Sequence, residues 1–307
     1  MYPKAIRKDL RRRFRSTGWN LVIYYGIMIL LLVAAVLSTG LGYDRLSYAE
    51  MVEINGFGYL LATILGLLIM YGQGEKGFLK NQVLVRRHPM TPGSFLKLLC
   101  IFLSVQMVAF IGNALMETAL NSMGYSMYEA IDQSTSDSFT MYLYASISAP
   151  ITEELVFRGF VLRRMRPYGR KFAIVTSAFL FGIFHGNWIQ IPFAFLVGLV
   201  LAYVTLEHNI LWAMVLHMIN NLLLSDALNR FTFHMPEAES TAIFLGIITI
   251  FAIAALVILL VDRKKIAAYL RYEPMNPLCI QAFFSSPSVI TMMIIGLLNA
   301  GMLITPI

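Results

Sequence analysis

The chain has 307 residues, 58% of them hydrophobic and 13% charged, with a mean hydropathy of +0.69 and a formal net charge of +7. A soluble domain carries about 25% charged residues, so this composition excludes one and reads as an integral membrane protein. The positive charge lies in short clusters beside apolar runs, where orientation in a bilayer puts it, and is no signal for nucleic acid.

Lys4, Arg7, Lys8, Arg11, Arg12, Arg13 and Arg15 precede a charge-free run over 19–37. That run is longer than the roughly 7–15 residues of a cleaved signal's apolar region, so it is expected to stay as a first transmembrane helix. Residues 1–18 then form a basic cytoplasmic tail placed to touch anionic lipid. Further apolar runs follow at 56–71, 95–116, 139–162, 172–185, 188–206, 210–224 and 241–261, near the ~20 residues that a bilayer requires. The expected fold is all-α, a polytopic bundle of about eight transmembrane helices over 19–262. The run 288–307 has the length of a ninth. Residues 263–307 form a carboxy-terminal segment, and Pro274, Pro277 and Pro287 make 266–287 too irregular for one helix.

The loops agree with eight spans and a cytoplasmic amino terminus. Lys76, Lys80, Arg86 and Arg87 follow span two, Arg163, Arg164, Arg166, Arg170 and Lys171 follow span four, and Arg263, Lys264, Lys265 and Arg271 follow span eight. The alternate loops hold Arg45, no Lys or Arg over 117–138, and Arg230, which places them outside. Short spans with basic loops suggest a bacterial cell membrane.

Span four carries Glu153, Glu154 and Arg158 inside an otherwise apolar stretch, where charge is costly and needs a reason. On a helix, Glu154 and Arg158 stand at i,i+4 and can pair, while Glu153 lies about 100° round and cannot share that pairing equally. One carboxylate is then neutralised and the other left free; taken alone, a buried structural ion pair explains the stretch as well as a catalytic one. Span five ends on His185, followed by Asn187. Span seven carries His217 and Asn221 on one face, again at i,i+4. A single histidine in an apolar helix is more often structural than catalytic, but this set on three neighbouring spans points to facing polar surfaces. At ~1.5 Å per residue, His217 lies roughly 10 Å from the cytoplasmic end, Glu153 roughly 15 Å and His185 roughly 20 Å.

Glu153-Glu154-x-x-x-Arg158, Phe181-x-x-x-His185 and His217-x-x-x-Asn221, in that order on successive spans, resemble the three motifs of the CAAX protease and bacteriocin-processing (CPBP, or Abi) family. That family includes the Ras-converting CAAX prenyl endopeptidases. The resemblance covers about 140–225, with a catalytic core over 139–225. It implies an intramembrane glutamate endopeptidase: Glu153 as general base with His185 as its partner, His217 and Asn221 as oxyanion hole, Glu154 and Arg158 holding the geometry. The substrate it implies is a membrane-associated peptide or protein, of CAAX type or a bacteriocin or pheromone precursor, and no residue selects a prenyl chain. No cofactor is expected. Two histidines and a glutamate suffice for zinc, yet there is no His-Glu-x-x-His, so the metal-free reading is preferred to a zinc protease. Cys100 and Cys279 fit no zinc or redox spacing. A non-catalytic immunity or binding protein and a proton-coupled transporter stay open as other classes.

Overall fold

The computed structural model describes residues 4–37, 48–72, 77–127, 138–272 and 274–307; Arg45, Lys76 and part of the loop 117–138 lie outside them. The protein is an all-α multi-pass membrane bundle. Helix α1 is Lys4–Leu37, so the basic tail and the first span are one continuous helix. Then come α2, Tyr48–Gly72, a short π turn Leu79–Val83, and α3, Pro92–Asn121. Thr91 starts α3 by accepting the Ser94 amide at 3.2 Å, with Pro92 at the first helical position.

The helical run 139–165 is α4. Ser138 Oγ caps it by accepting the Met141 amide at 3.2 Å. It is not one regular helix. Two π stretches, Tyr144–Ser148 and Leu155–Val161, alternate with α turns. A π stretch is a local widening that recurs at functional sites. Two carbonyls in the second stretch gain side-chain donors: Tyr71 Oη donates to Leu155 O at 2.7 Å and Ser177 Oγ to Phe157 O at 2.8 Å.

Helix α5 is Arg170–Phe184, only 15 residues, and α6 is Gln190–Glu207. Between them Gly186 takes φ +61°, a left-handed conformation that a side chain would oppose. Helix α7 is the run 210–232; Asn209 caps it by accepting the Trp212 amide at 3.2 Å, and it turns to π geometry over Asn220–Ala227. Helix α8 is Glu237–Val261, α9 is Arg263–Tyr272, α10 is Pro277–Phe284 and α11 is Pro287–Met302.

Five described helices are long and apolar enough to cross a membrane: Lys8–Ala35, Glu53–Gly72, Pro92–Asn121, Gln190–Glu207 and Glu237–Val261. They coincide with expected spans one, two, three, six and eight. Spans four, five and seven, which carry the motifs, fall on the π-interrupted or short helices α4, α5 and α7. Helices α10 and α11 make a sixth candidate, bent by 62° at the break between them.

This last segment traverses the bundle. At its start, Lys171 Nζ on α5 donates to Leu270 O on α9, and Lys97 Nζ near the start of α3 meets Asp262 at 3.0 Å. At its end, Thr305–Pro306 (β2) pairs antiparallel with Tyr125–Ser126 (β1), just past the other end of α3. Along the way α11 lies against α1 and α5. Ser288 Oγ meets Phe14 O at 3.4 Å, Asn299 meets Tyr25 Oη, and a Cβ on Gly296 would come within 2.4 Å of Ile183 O.

In lipid, helices associate through close packing and polar contacts rather than by escaping water. Small residues allow that approach between α5 and α6: a Cβ on Gly182 would meet Ile191 O at 2.8 Å, and one on Gly198 would meet Ala178 Cα at 3.1 Å. Aromatic rings fill the remainder. Phe157 packs on Phe181 and Phe184 at 5.1 and 5.3 Å, and Phe14 packs on Phe172 and Phe283 at 5.6 and 5.8 Å. Such pairs contribute about 0.5–1.5 kcal/mol each beyond area burial.

Candidate active site

The three motif-bearing helices bring their polar groups together. On α4, Glu154 and Arg158 are both 0% exposed and pair as their spacing required, with Arg158 Nη1 3.2 Å from Glu154 Oε1. The same carboxylate oxygen accepts a second partner from α7, His217 Nδ1 at 3.1 Å. Glu154 is thus held by one guanidinium and one imidazole. Glu153 is held far less: among the described residues it forms no hydrogen bond, and His217 Nε2 stands 3.8 Å away. Its side chain keeps 19% exposure. Adjacent residues of one type therefore occupy two different environments.

His217 stands between the two carboxylates, with one ring nitrogen toward each. His185 lies at the end of α5 and makes no ion pair under 4.0 Å with either glutamate. Its Nδ1 is 2.8 Å from Phe181 O. A carbonyl only accepts, so Nδ1 carries the proton and, in the neutral ring, Nε2 presents a lone pair. The Glu153 charge acts on His185, and also on Tyr24 and Tyr144 from α1 and α4.

Asn221 Nδ2 donates to Ala145 O on α4 at 2.8 Å, which ties its side chain to α4 and leaves a second N–H. His217 and Asn221 both face α4, as residues four apart on one helix should.

Several residues of this arrangement carry no role in the sequence reading. Phe181 is the ring on which the cluster rests: the Arg158 guanidinium lies 4.2 Å over its face, and the His185 and His217 rings meet it edge-on at 4.8 and 5.8 Å. Asn220, 5% exposed, donates to Asn221 Oδ1 at 3.1 Å and accepts from Gln106 Nε2 of α3 at 2.8 Å. The signal for Gln106 was present, an amide within the apolar run 95–116. For Asn220 it was the Asn220-Asn221 doublet.

Among the described residues, no three His, Cys, Asp or Glu side chains group as a metal ion requires. Glu154 Oε1 already faces both Arg158 and His217, and His185 turns Nδ1 to a carbonyl.

Residues 135–223 match the family model of Rce1-like type II CAAX prenyl endopeptidases. The match includes every motif residue, from Glu153 to Asn221, and supports a CAAX-type membrane protease at the level of the family. No curated protein and no solved structure matches the chain.

Proposed function

We propose that the protein is an intramembrane endopeptidase in which Glu153 and His185 activate a water molecule to cleave a peptide bond of a membrane-associated substrate. The observation that carries this reading is the split between the carboxylates: Glu154 is locked by Arg158 and His217, while Glu153 is partly accessible and, among the described residues, without a hydrogen bond. A water held between the Glu153 carboxylate and the His185 Nε2 lone pair is polarised from two sides. Glu153 takes its proton as the oxygen attacks the peptide carbonyl, and returns that proton to the departing amine.

The oxyanion formed meanwhile falls to His217 and Asn221. With Nδ1–H directed at Glu154, His217 must carry its second proton on Nε2 to donate there. Asn221 supplies its remaining N–H, held in place through Asn220 and Gln106. Donors fixed in a water-poor site stabilise an oxyanion far more than they would in water. Arg158, stacked on Phe181, fixes the Glu154 carboxylate and so holds His217 in position.

Purified protein in lipid is expected to cleave a farnesylated Cys-a-a-X peptide or an unprenylated precursor peptide without stoichiometric zinc and at a rate that chelators leave unchanged. Zinc at one per chain, with activity lost on chelation and restored by the metal, overturns the mechanism. Inhibition by added zinc does not, since histidines and carboxylates also bind it adventitiously.

The loop charges support an orientation in which α9 lies in the cytoplasm and the end of α3 outside. Lys265→Cys is then expected to react with impermeant maleimide only from the cytoplasmic side, and Ser122→Cys only from outside. Both native cysteines, Cys100 and Cys279, are buried and give little background. Labelling from the opposite sides overturns this orientation.

A further inference from the structure

Arg163 lies about 15 Å along α4 from Glu153, at the end of the helix and away from the catalytic groups. It is 6% exposed, and its Nε and Nη2 atoms are buried without a hydrogen-bond partner among the described residues. The charged side chains that act on it are Arg87 and Arg166, both positive. Among the described residues, the acids at this end of the bundle are engaged elsewhere. Glu207 pairs with Arg170 and faces His88 at 3.8 Å, and Asp9 pairs with Arg12 and Arg13 and accepts from Tyr168. A guanidinium cannot shed its proton, and a buried charge with no counter-charge is strongly destabilising. One buried guanidinium facing two further cations calls for an anion from outside the described residues.

The surroundings are fixed rather than loose. The strap 77–90 that carries Arg87 is pinned to the α6–α7 turn: Arg87 N donates to His208 O at 2.9 Å, His88 N to Glu207 O at 3.2 Å, and His208 Nδ1 meets His88 O at 3.0 Å. Val83 anchors the strap against Gly159, where a Cβ would come within 3.1 Å of Val83 Cγ1. The outer side of the strap presents Leu79 and Leu84, 44% and 47% exposed, interleaved with exposed Lys80 and Arg86. Apolar side chains among cations at the end of a membrane helix mark the depth of lipid headgroups.

We propose that Arg163, Arg87 and Arg166 bind the phosphate group of a phospholipid at the membrane surface, with its acyl chains beside Leu79 and Leu84. Guanidinium forks match the oxygens of a phosphate, and pairs of this kind are among the stronger hydrogen bonds. The exposed leucines favour a lipid over a soluble phosphate or a peptide carboxylate, neither of which has chains to place there. This inference does not rest on the protease reading, and its readouts are binding and melting temperature.

The full chain in detergent, titrated with phosphatidylglycerol, is expected to gain thermal stability and to retain the lipid in native mass spectra. Diacylglycerol, with the same chains and no phosphate, is expected to do neither. The double variant Arg87→Gln with Arg166→Gln changes side chains at exposed or half-buried positions and is expected to raise the half-saturating lipid concentration at least roughly tenfold. Arg163→Met is expected to lose the lipid-dependent stabilisation yet melt no lower than the parent in lipid-free detergent, because it removes an uncompensated charge. Equal stabilisation of parent and double variant by phosphatidylglycerol, or stabilisation by diacylglycerol, overturns the proposal. So does a full shift from inorganic phosphate alone, which assigns the arginines to a soluble anion. A shift from a peptide with a free carboxy terminus, absent for its amide, assigns them to substrate and overturns the lipid reading too.

Discussion

Glu153→Gln is expected to lower peptide cleavage by roughly 10²–10⁴-fold, the range for losing a general base, while leaving the bundle folded. The amide keeps the shape of the side chain and removes its basicity. Little stability should go with it, because among the described residues Glu153 forms no hydrogen bond and it approaches His217 only to 3.8 Å. Glu154→Gln makes the contrast. That carboxylate is fully buried, is the counter-charge of Arg158 and meets His217 Nδ1 at 3.1 Å, so its loss should lower the melting temperature as well as the rate. Cleavage and melting measured together on the two variants test the division of labour. Near-normal cleavage by Glu153→Gln removes it from its role. Cleavage retained in Glu153→Gln, but lost from a stably folded Glu154→Gln, means the two carboxylates act the other way round.

That division was legible because it follows from helical spacing: i,i+4 pairs Glu154 with Arg158 and turns Glu153 aside. The same arithmetic set His217 and Asn221 on one face, and charge patterning gave the outlines of the spans. Local rules, however, say nothing about which partner a face meets. His217 approaches both glutamates and His185 neither, an outcome of how α5 and α7 pack against α4. The π stretches of α4 carry no pattern in the residues themselves. The second draws side-chain donors from elsewhere in the chain, Tyr71 on α2 and Ser177 on α5. Gln106, on α3, is likewise brought to Asn220 only by the fold. The run 288–307 was readable as an apolar helix, but its path from the α9 end of the bundle to β1 depends on long-range contacts at its two ends.

Arg158→Ala is expected to cost about 3–5 kcal/mol of stability, the usual penalty for breaking a buried ion pair from one side. Neither Arg158 nor Glu154 has any exposure, so the carboxylate left behind cannot recruit bulk water, and His217 alone remains to face it. The stacking of the guanidinium on Phe181 at 4.2 Å is a smaller part of the loss, about 0.5–2 kcal/mol by analogy with other cation–π contacts. The dominant cost is therefore the orphaned charge, and that has a direct test. Glu154→Gln with Arg158→Gln removes both charges and should melt above Arg158→Ala, although it takes away one more native group. Activity should be lost in both, since each changes what holds His217 Nδ1. Thermal unfolding in detergent, read beside cleavage, separates the possibilities. If Arg158→Ala melts like the parent and fails only in catalysis, the arginine acts on the substrate and the pair is not structural. If the double variant melts below Arg158→Ala, the missing contacts outweigh the unpaired charge, and packing on Phe181 is what holds the site.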